Sequence, residues 1–72
     1  MKEVTNAGLR PQTNDDFLHA AHVMERMGGG FAGHIARAFY AADKENRQRL
    51  KMAFPDLFTR YYNEYLREEA MR

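Results

Sequence analysis

The chain contains no cysteine. That excludes disulfides, thiolate zinc sites and cysteine nucleophiles. Long apolar runs are missing too. Nothing approaches the roughly 18 consecutive apolar residues of a membrane span, and Met1–Lys2–Glu3 is not followed by the apolar core of a signal peptide. Neither sign of charge dominates: 11 Lys and Arg stand against 10 Asp and Glu, for a net charge of +1. Leu, Ile, Val and Phe are scarce, at 13 of 72 residues. That share falls just under the roughly 20% that marks disordered chains, but disorder also requires a high net charge. Five Met, four Tyr and a run of Ala supply the missing apolar surface. The expectation is one small domain, soluble and cytoplasmic, with no membrane partner. A chain of this length buries only about 60% of its unfolded surface, which makes a lone monomer marginal.

Residues 1–12 show no sustained period and carry the breakers Asn6, Gly8 and Pro11, so they read as a flexible N-terminal arm before a single helical domain over 13–72. A first helix is predicted from Thr13 or Asn14, either of which caps well, with Asp15 and Asp16 in the favourable first turn. At about 100° per residue, Phe17, Ala20, Ala21, Met24 and Met27 share one face, and Asp15, His19, His22 and Arg26 lie opposite. Gly28–Gly29–Gly30 ends it. A second helix is predicted from Phe31, with Phe31, Ile35, Ala38, Phe39 and Ala42 as its core face. Asp43 restarts a third over 44–53, burying Leu50, Ala53 and Phe54, or else marks a kink. Phe54–Pro55–Asp56 opens a fourth, which carries Leu57, Phe58, Tyr61, Tyr62, Tyr65 and Leu66 over about half its circumference. No segment alternates as a strand does. The fold class is all-α, a compact bundle of three or four short helices.

The chemistry-bearing residues are few. Asp15, His19 and His22 share a helix and superficially match metal spacing. No Glu lies between a His pair at i and i+4, so a solvated polar face is the better reading and no metal is predicted. His34 has no supporting motif. Gly28–Gly29–Gly30 resembles a phosphate loop only in composition; no strand precedes it, no Lys-Ser or Lys-Thr follows, and it reads as an interhelical turn. The carboxylates fall on exposed faces or helix ends, where nothing shifts them toward acid–base work. No enzyme activity and no cofactor are predicted.

Two surfaces remain. Residues 28–51 carry a local charge of +3 through Arg37, Lys44, Arg47, Arg49 and Lys51, against −1 on each flank. Lys44, Arg47 and Lys51, at i, i+3 and i+7, share a face that can contact successive phosphates. The fourth helix carries more rings than one face of a thin bundle is expected to hide. Tyr offers large contact area at low entropy cost, and Tyr and Arg are enriched in binding hot spots. Phe58, Arg60, Tyr61, Tyr62 and Tyr65 are the predicted partner-binding residues, with Tyr40 as a secondary candidate because it falls opposite the core face of the second helix.

The segment 27–62 also resembles small helical proteins encoded by tailed phages and prophages. The parts that carry the resemblance are Met-Gly-Gly-Gly-Phe at 27–31, Ala-Ala-Asp at 41–43, Asn46–Leu50 and Ala-Phe-Pro-Asp-Leu-Phe at 53–58. They cover half the chain and imply a fold and a bacterial-host setting without assigning any residue a role. The resemblance implies a protein that binds and blocks or redirects a host protein, anti-defence activity included. The expected function is therefore a non-enzymatic protein-binding module with a host protein as partner, a homodimer being compatible with it. The alternative is a small nucleic-acid-binding protein that uses the basic central segment.

Overall fold

A computed structural model of the chain describes residues 9–72. They form four helices in chain order: α1 (Asn14–Met27), α2 (Gly29–Ala41), α3 (Lys44–Ala53) and α4 (Pro55–Ala70). No strand occurs among the described residues, and the protein is an all-α bundle. Residues 1–8 of the expected arm lie outside the described residues. The rest of the arm is docked: Pro11 is buried, and both backbone groups of Leu9 bond Asn63 of α4, N–H to Oδ1 at 3.0 Å and C=O from Nδ2 at 2.7 Å.

Local chemistry sets each boundary. Thr13 caps α1, accepting from the Asp16 N–H at 3.0 Å, while the Asp16 carboxylate accepts from Thr13 N–H at 3.1 Å. This reciprocal box satisfies donors that the first helical turn leaves open. α2 begins two residues earlier than expected, at Gly29, whose φ of +74° turns the chain between the helices. Only glycine adopts that angle without strain. The break at Asp43 separates two helices. Asp43 is extended (φ −74°, ψ 178°), and its carboxylate accepts from the Asn46 N–H at 2.8 Å to cap α3. Pro55 occupies the first turn of α4, where its missing N–H costs nothing.

α1 lies between α2 and α4, and α3 packs lightly on both α2 and α4. The core is small: Ala20, Ala21, Val23, Met24, Ala32, Ala36, Phe39 and Phe58. Its centre is three rings from three helices. Phe58 lies 5.3 Å from Phe17, edge to face, and 5.3 Å from Phe39, while Phe17 and Phe39 are 6.4 Å apart. Each such pair adds about 0.5–1.5 kcal/mol beyond its buried area. The alanines admit the neighbouring backbones closely enough for the rings to meet.

Several expected core positions are corrected. Val23 is buried because α1 has neighbours on two sides, which widens its apolar arc. Met27, at the end of that helix, is 53% exposed. On α2 the buried face is Ala32, Gly33, Ala36 and Phe39. That is one residue on from the predicted stripe, a rotation of about 100°. Phe31 is 61% exposed, Ala38 is exposed, and Ile35 and Ala42 are half-buried. On α3 nothing is fully buried: Leu50 and Phe54 are half-covered and Ala53 is exposed. α2 is apolar on nearly every side, so periodicity alone could not select the face that α1 covers.

The glycine turn gives a paired test. Gly29→Ala places a side chain at φ +74° and is expected to lower stability by about 1 kcal/mol. Gly30 lies inside α2 with open space around it, so Gly30→Ala is expected to raise stability by about 0.4–1 kcal/mol. Urea unfolding of the two variants beside the parent protein measures both signs.

Candidate functional site

The aromatic set on α4 faces inward. On a helical wheel Phe58, Tyr61, Tyr62 and Tyr65 fall within about 100° of arc, which one neighbouring helix covers. Phe58 is 0% exposed, a core ring and not a contact residue, which corrects its place in the predicted surface. Tyr61, Tyr62 and Tyr65 are half-buried. The Tyr65 ring stacks on His19 of α1 at 4.2 Å, with 4° between the planes, and on Tyr62 at 6.2 Å. Burial, then the Asp16 carboxylate beside it, raises the Tyr62 hydroxyl above its usual pKa. The Arg60 guanidinium covers the Tyr61 ring at 5.5 Å. Arg60 and Arg67 are exposed and Glu64 half-buried, so the side of α4 turned away from α1 is polar.

Tyr40 belongs to the other flank of α1. Burial and the nearby Glu25 carboxylate raise its pKa. Glu25 and Asp16, the α1 partners of Tyr40 and Tyr62, are nine residues apart and so about 180° around the helix. The six predicted contact residues therefore do not form one continuous surface.

The five central cations are also divided. Arg37 donates to Nδ1 of His34 at 2.8 Å. Arg49 pairs with Glu45 at 3.2 Å and donates to Asn46 at 3.1 Å. Arg47 donates from Nε to the Phe39 carbonyl at 2.9 Å, which also accepts from the Ala42 N–H at 3.3 Å, and from Nη2 to the Tyr40 carbonyl at 3.3 Å, adding donors at the end of α2. Its guanidinium lies 4.9 Å from the Phe39 ring centre, and the Lys51 ammonium lies 4.5 Å from that of Phe17. Cations over ring faces contribute about 0.5–2 kcal/mol each, so this part of the basic segment fastens α3 to the core.

α3 consequently divides two open features. On one flank Ala38, Ala41, Ala42, Leu50 and Ala53 floor a groove of about 540 Å³, with Asn46 and Arg49 at its rim. Phe31 meets Phe54 edge to face at 5.7 Å where α2 and α3 lie farthest from their connecting turn. On the other flank Asn14, Ala42, Lys44, Arg47, Gln48 and Lys51 line a cleft of about 470 Å³. Sequence reasoning missed the groove because it assigned Ala38, Ala42, Leu50 and Ala53 to the core. It found three of the cleft's cations through their shared helical face but not Asn14, which reaches the cleft from α1.

His19 is engaged with Tyr65, and among the described residues no group of three His, Asp or Glu is arranged to hold a metal ion. No helix among them is long and apolar enough to cross a membrane. Comparison with protein-family models, with curated proteins and with solved structures finds no match to the chain.

Asp16 joins the N-terminal cap to the α4 rings and titrates accordingly. Backbone N–H groups of Gln12 and Thr13 hold its carboxyl below the ordinary value of 3.8, helped by the Thr13 and Tyr62 hydroxyls and opposed by burial. A depressed carboxylate stabilises the fold above its unfolded pKa and loses that contribution as pH falls through the folded one. Thermal melts from neutral pH down through the carboxylate range are expected to show a smaller acid-induced fall for Asp16→Asn than for the parent. Equal slopes would remove Asp16 from the account.

Proposed function

We propose that the chain is a non-catalytic protein-interaction module and that the first partner of its open α2–α3 seam is a second copy of itself. The observation that carries this reading is the uncovered apolar stripe. Ala38, Ala41 and Ala53 are exposed and line one groove with Leu50, and Phe31, 61% exposed, meets Phe54 between the same two helices. A helix apolar all round normally lies between neighbours on several sides. α2 has a close neighbour on one side and a light one on another.

A second copy fits the chemistry of the seam. Its small side chains let a helix backbone approach closely. α2 carries one charged residue, Arg37, already bonded to His34, so the stripe holds no like charges to oppose across a twofold axis. Arg49 at the groove is paired with Glu45 at 3.2 Å, and a twofold arrangement that brings Glu45 of one copy to Arg49 of the other brings the reciprocal pair as well. A standard interface covers about 800 Å² per partner. Covering the seam would also support a monomer whose core contains only eight buried hydrophobic residues among those described. The likeness to small phage proteins supports a bacterial host as the setting, with a host protein as the partner of the assembled module. The polar outer side of α4, with Arg60 and Arg67, stays outside the seam and accessible to it.

Sedimentation equilibrium up to about 200 μM is expected to give a dimer of the 8.4 kDa chain. Ala38→Arg changes an exposed helical position to another good helix former. It is expected to keep the melting temperature measured at dilutions where the parent is also monomeric, and to weaken association by at least about tenfold. A monomer at every concentration, or equal association by a folded Ala38→Arg variant, overturns the reading.

A further inference from the structure

We propose that the cationic cleft between α1 and α3 binds phosphoryl oxyanions, and that Lys44, Arg47 and Lys51 supply the charge. The cleft shares Ala42 with the α2–α3 groove but opens on the opposite flank of α3, and its cations do not line that groove, so this inference stands independently of the dimer. Its volume, about 470 Å³, falls within the roughly 300–1,000 Å³ typical of ligand clefts.

The lining is one-signed. Three cations and the two amides of Asn14 and Gln48 face the space, and no carboxylate lines it. Of the carboxylates near these residues in sequence, Asp43 accepts from Asn46 N–H at 2.8 Å, Glu45 pairs with Arg49 at 3.2 Å, and Asp16 accepts from Gln12 and Thr13 N–H at 2.9 and 3.1 Å. Elsewhere Arg26, Arg49, Arg67 and Arg72 each pair with a glutamate. Among the described residues, no ion pair involves Lys44, Arg47 or Lys51.

Two of these cations are already held in place. Two carbonyls and the Phe39 ring fix the Arg47 guanidinium. A guanidinium has five N–H donors, so three remain for a ligand. The Lys51 ammonium is held over Phe17, which leaves its donors to oxygen acceptors beyond the ring. Lys44 is the telling residue. It occupies the first position of α3, the positive end of the helix, where a cation is disfavoured. Helix formation does not explain a lysine there, whereas an anion beside it does. Phosphoryl groups match the set because they accept several hydrogen bonds at once and are doubly or singly negative at neutral pH.

The test is an amide-shift titration of the full chain with inorganic phosphate, with pyrophosphate, and with a single-stranded oligothymidylate. Each is run at about 50 and 200 mM NaCl. Saturable shifts centred on Asn14 and residues 42–51 are expected, with pyrophosphate bound more tightly than phosphate. Binding that engages three phosphates of the strand should weaken by roughly 20-fold between the two salt concentrations. Tighter binding of the oligonucleotide than of pyrophosphate assigns the site to a nucleic-acid backbone. The reverse order assigns it to a small phosphorylated ligand. Lys44→Gln with Lys51→Gln is expected to weaken either ligand at least about tenfold, and Lys44→Gln alone to leave the melting temperature unchanged or raised. Because Arg47 also caps α2, Arg47→Ala is not used. Absence of saturable binding at the lower salt, or unaltered affinity in the folded double variant, overturns the proposal.

Discussion

The fold depends on three phenylalanines meeting at one point. Phe17, Phe39 and Phe58 come from α1, α2 and α4, with their centres 5.3 to 6.4 Å apart. Phe39 and Phe58 rank among the largest fully buried side chains; most of the rest of the core is alanine. The alanines and the rings work as a pair. Ala20, Ala21, Ala32 and Ala36 bring the helices close, and only close helices let rings from three of them touch. A larger residue at any of these alanines would separate the rings as well as overfill its own site. A cluster so short of volume has no second layer to compensate.

α3 joins that cluster by an unusual route. Its mean composition is polar, and none of its residues is fully buried. It reaches the core with Arg47 and Lys51, whose charged heads lie over Phe39 and Phe17. Leu50 and Phe54 pack at the edge of the cluster. Arg47 also closes the end of α2. One helix face thus combines apolar packing, cation–ring contacts and a helix cap. Because this attachment occupies a narrow arc of α3, both flanks stay open. Small apolar residues shared with α2 border one flank, and cations with amides border the other. The two features follow from a single cause, the thin seating of α3.

The sequence made the punctuation plain and the facing ambiguous. Thr13, the three glycines, Asp43 and Pro55 each mark a boundary through strong local chemistry, and each lies at or within two residues of an observed helix end. The aromatic face of α4 was visible as a stripe, but its destination was not. Adding Leu57 and Leu66 widened the arc to half the helix and concealed that the four rings alone fit one contact. On α2 the difficulty was deeper. The stripe through Phe31, Ile35 and Ala38 and the stripe through Ala32, Ala36 and Phe39 are both apolar at helical spacing. Choosing between them requires knowing which lets Phe39 reach Phe17 and Phe58, a three-body condition that no single-helix period contains. For the cleft, the spacing of Lys44, Arg47 and Lys51 was legible. The contribution of Asn14 depends on how α1 and α3 approach each other.

The role of Arg47 shows why charge counts alone misjudge such a segment. A local charge of +3 over residues 28–51 implies five interchangeable contacts to an anion. The structure makes them unequal. Arg49 is neutralised across one helical turn by Glu45, and Arg37 is bonded to His34 within α2. Arg47 uses part of its donor set on the Phe39 and Tyr40 carbonyls at the end of α2. That contact fastens α3 to the end of α2, while the charge of the same guanidinium faces the cleft. Substituting Arg47 therefore mixes a folding effect with an electrostatic one. Lys44 separates them, because the field of its own helix opposes its charge while the cleft's chemistry favours it. A cation that sits against its local helix field is stronger grounds for a ligand than several cations that the fold already employs.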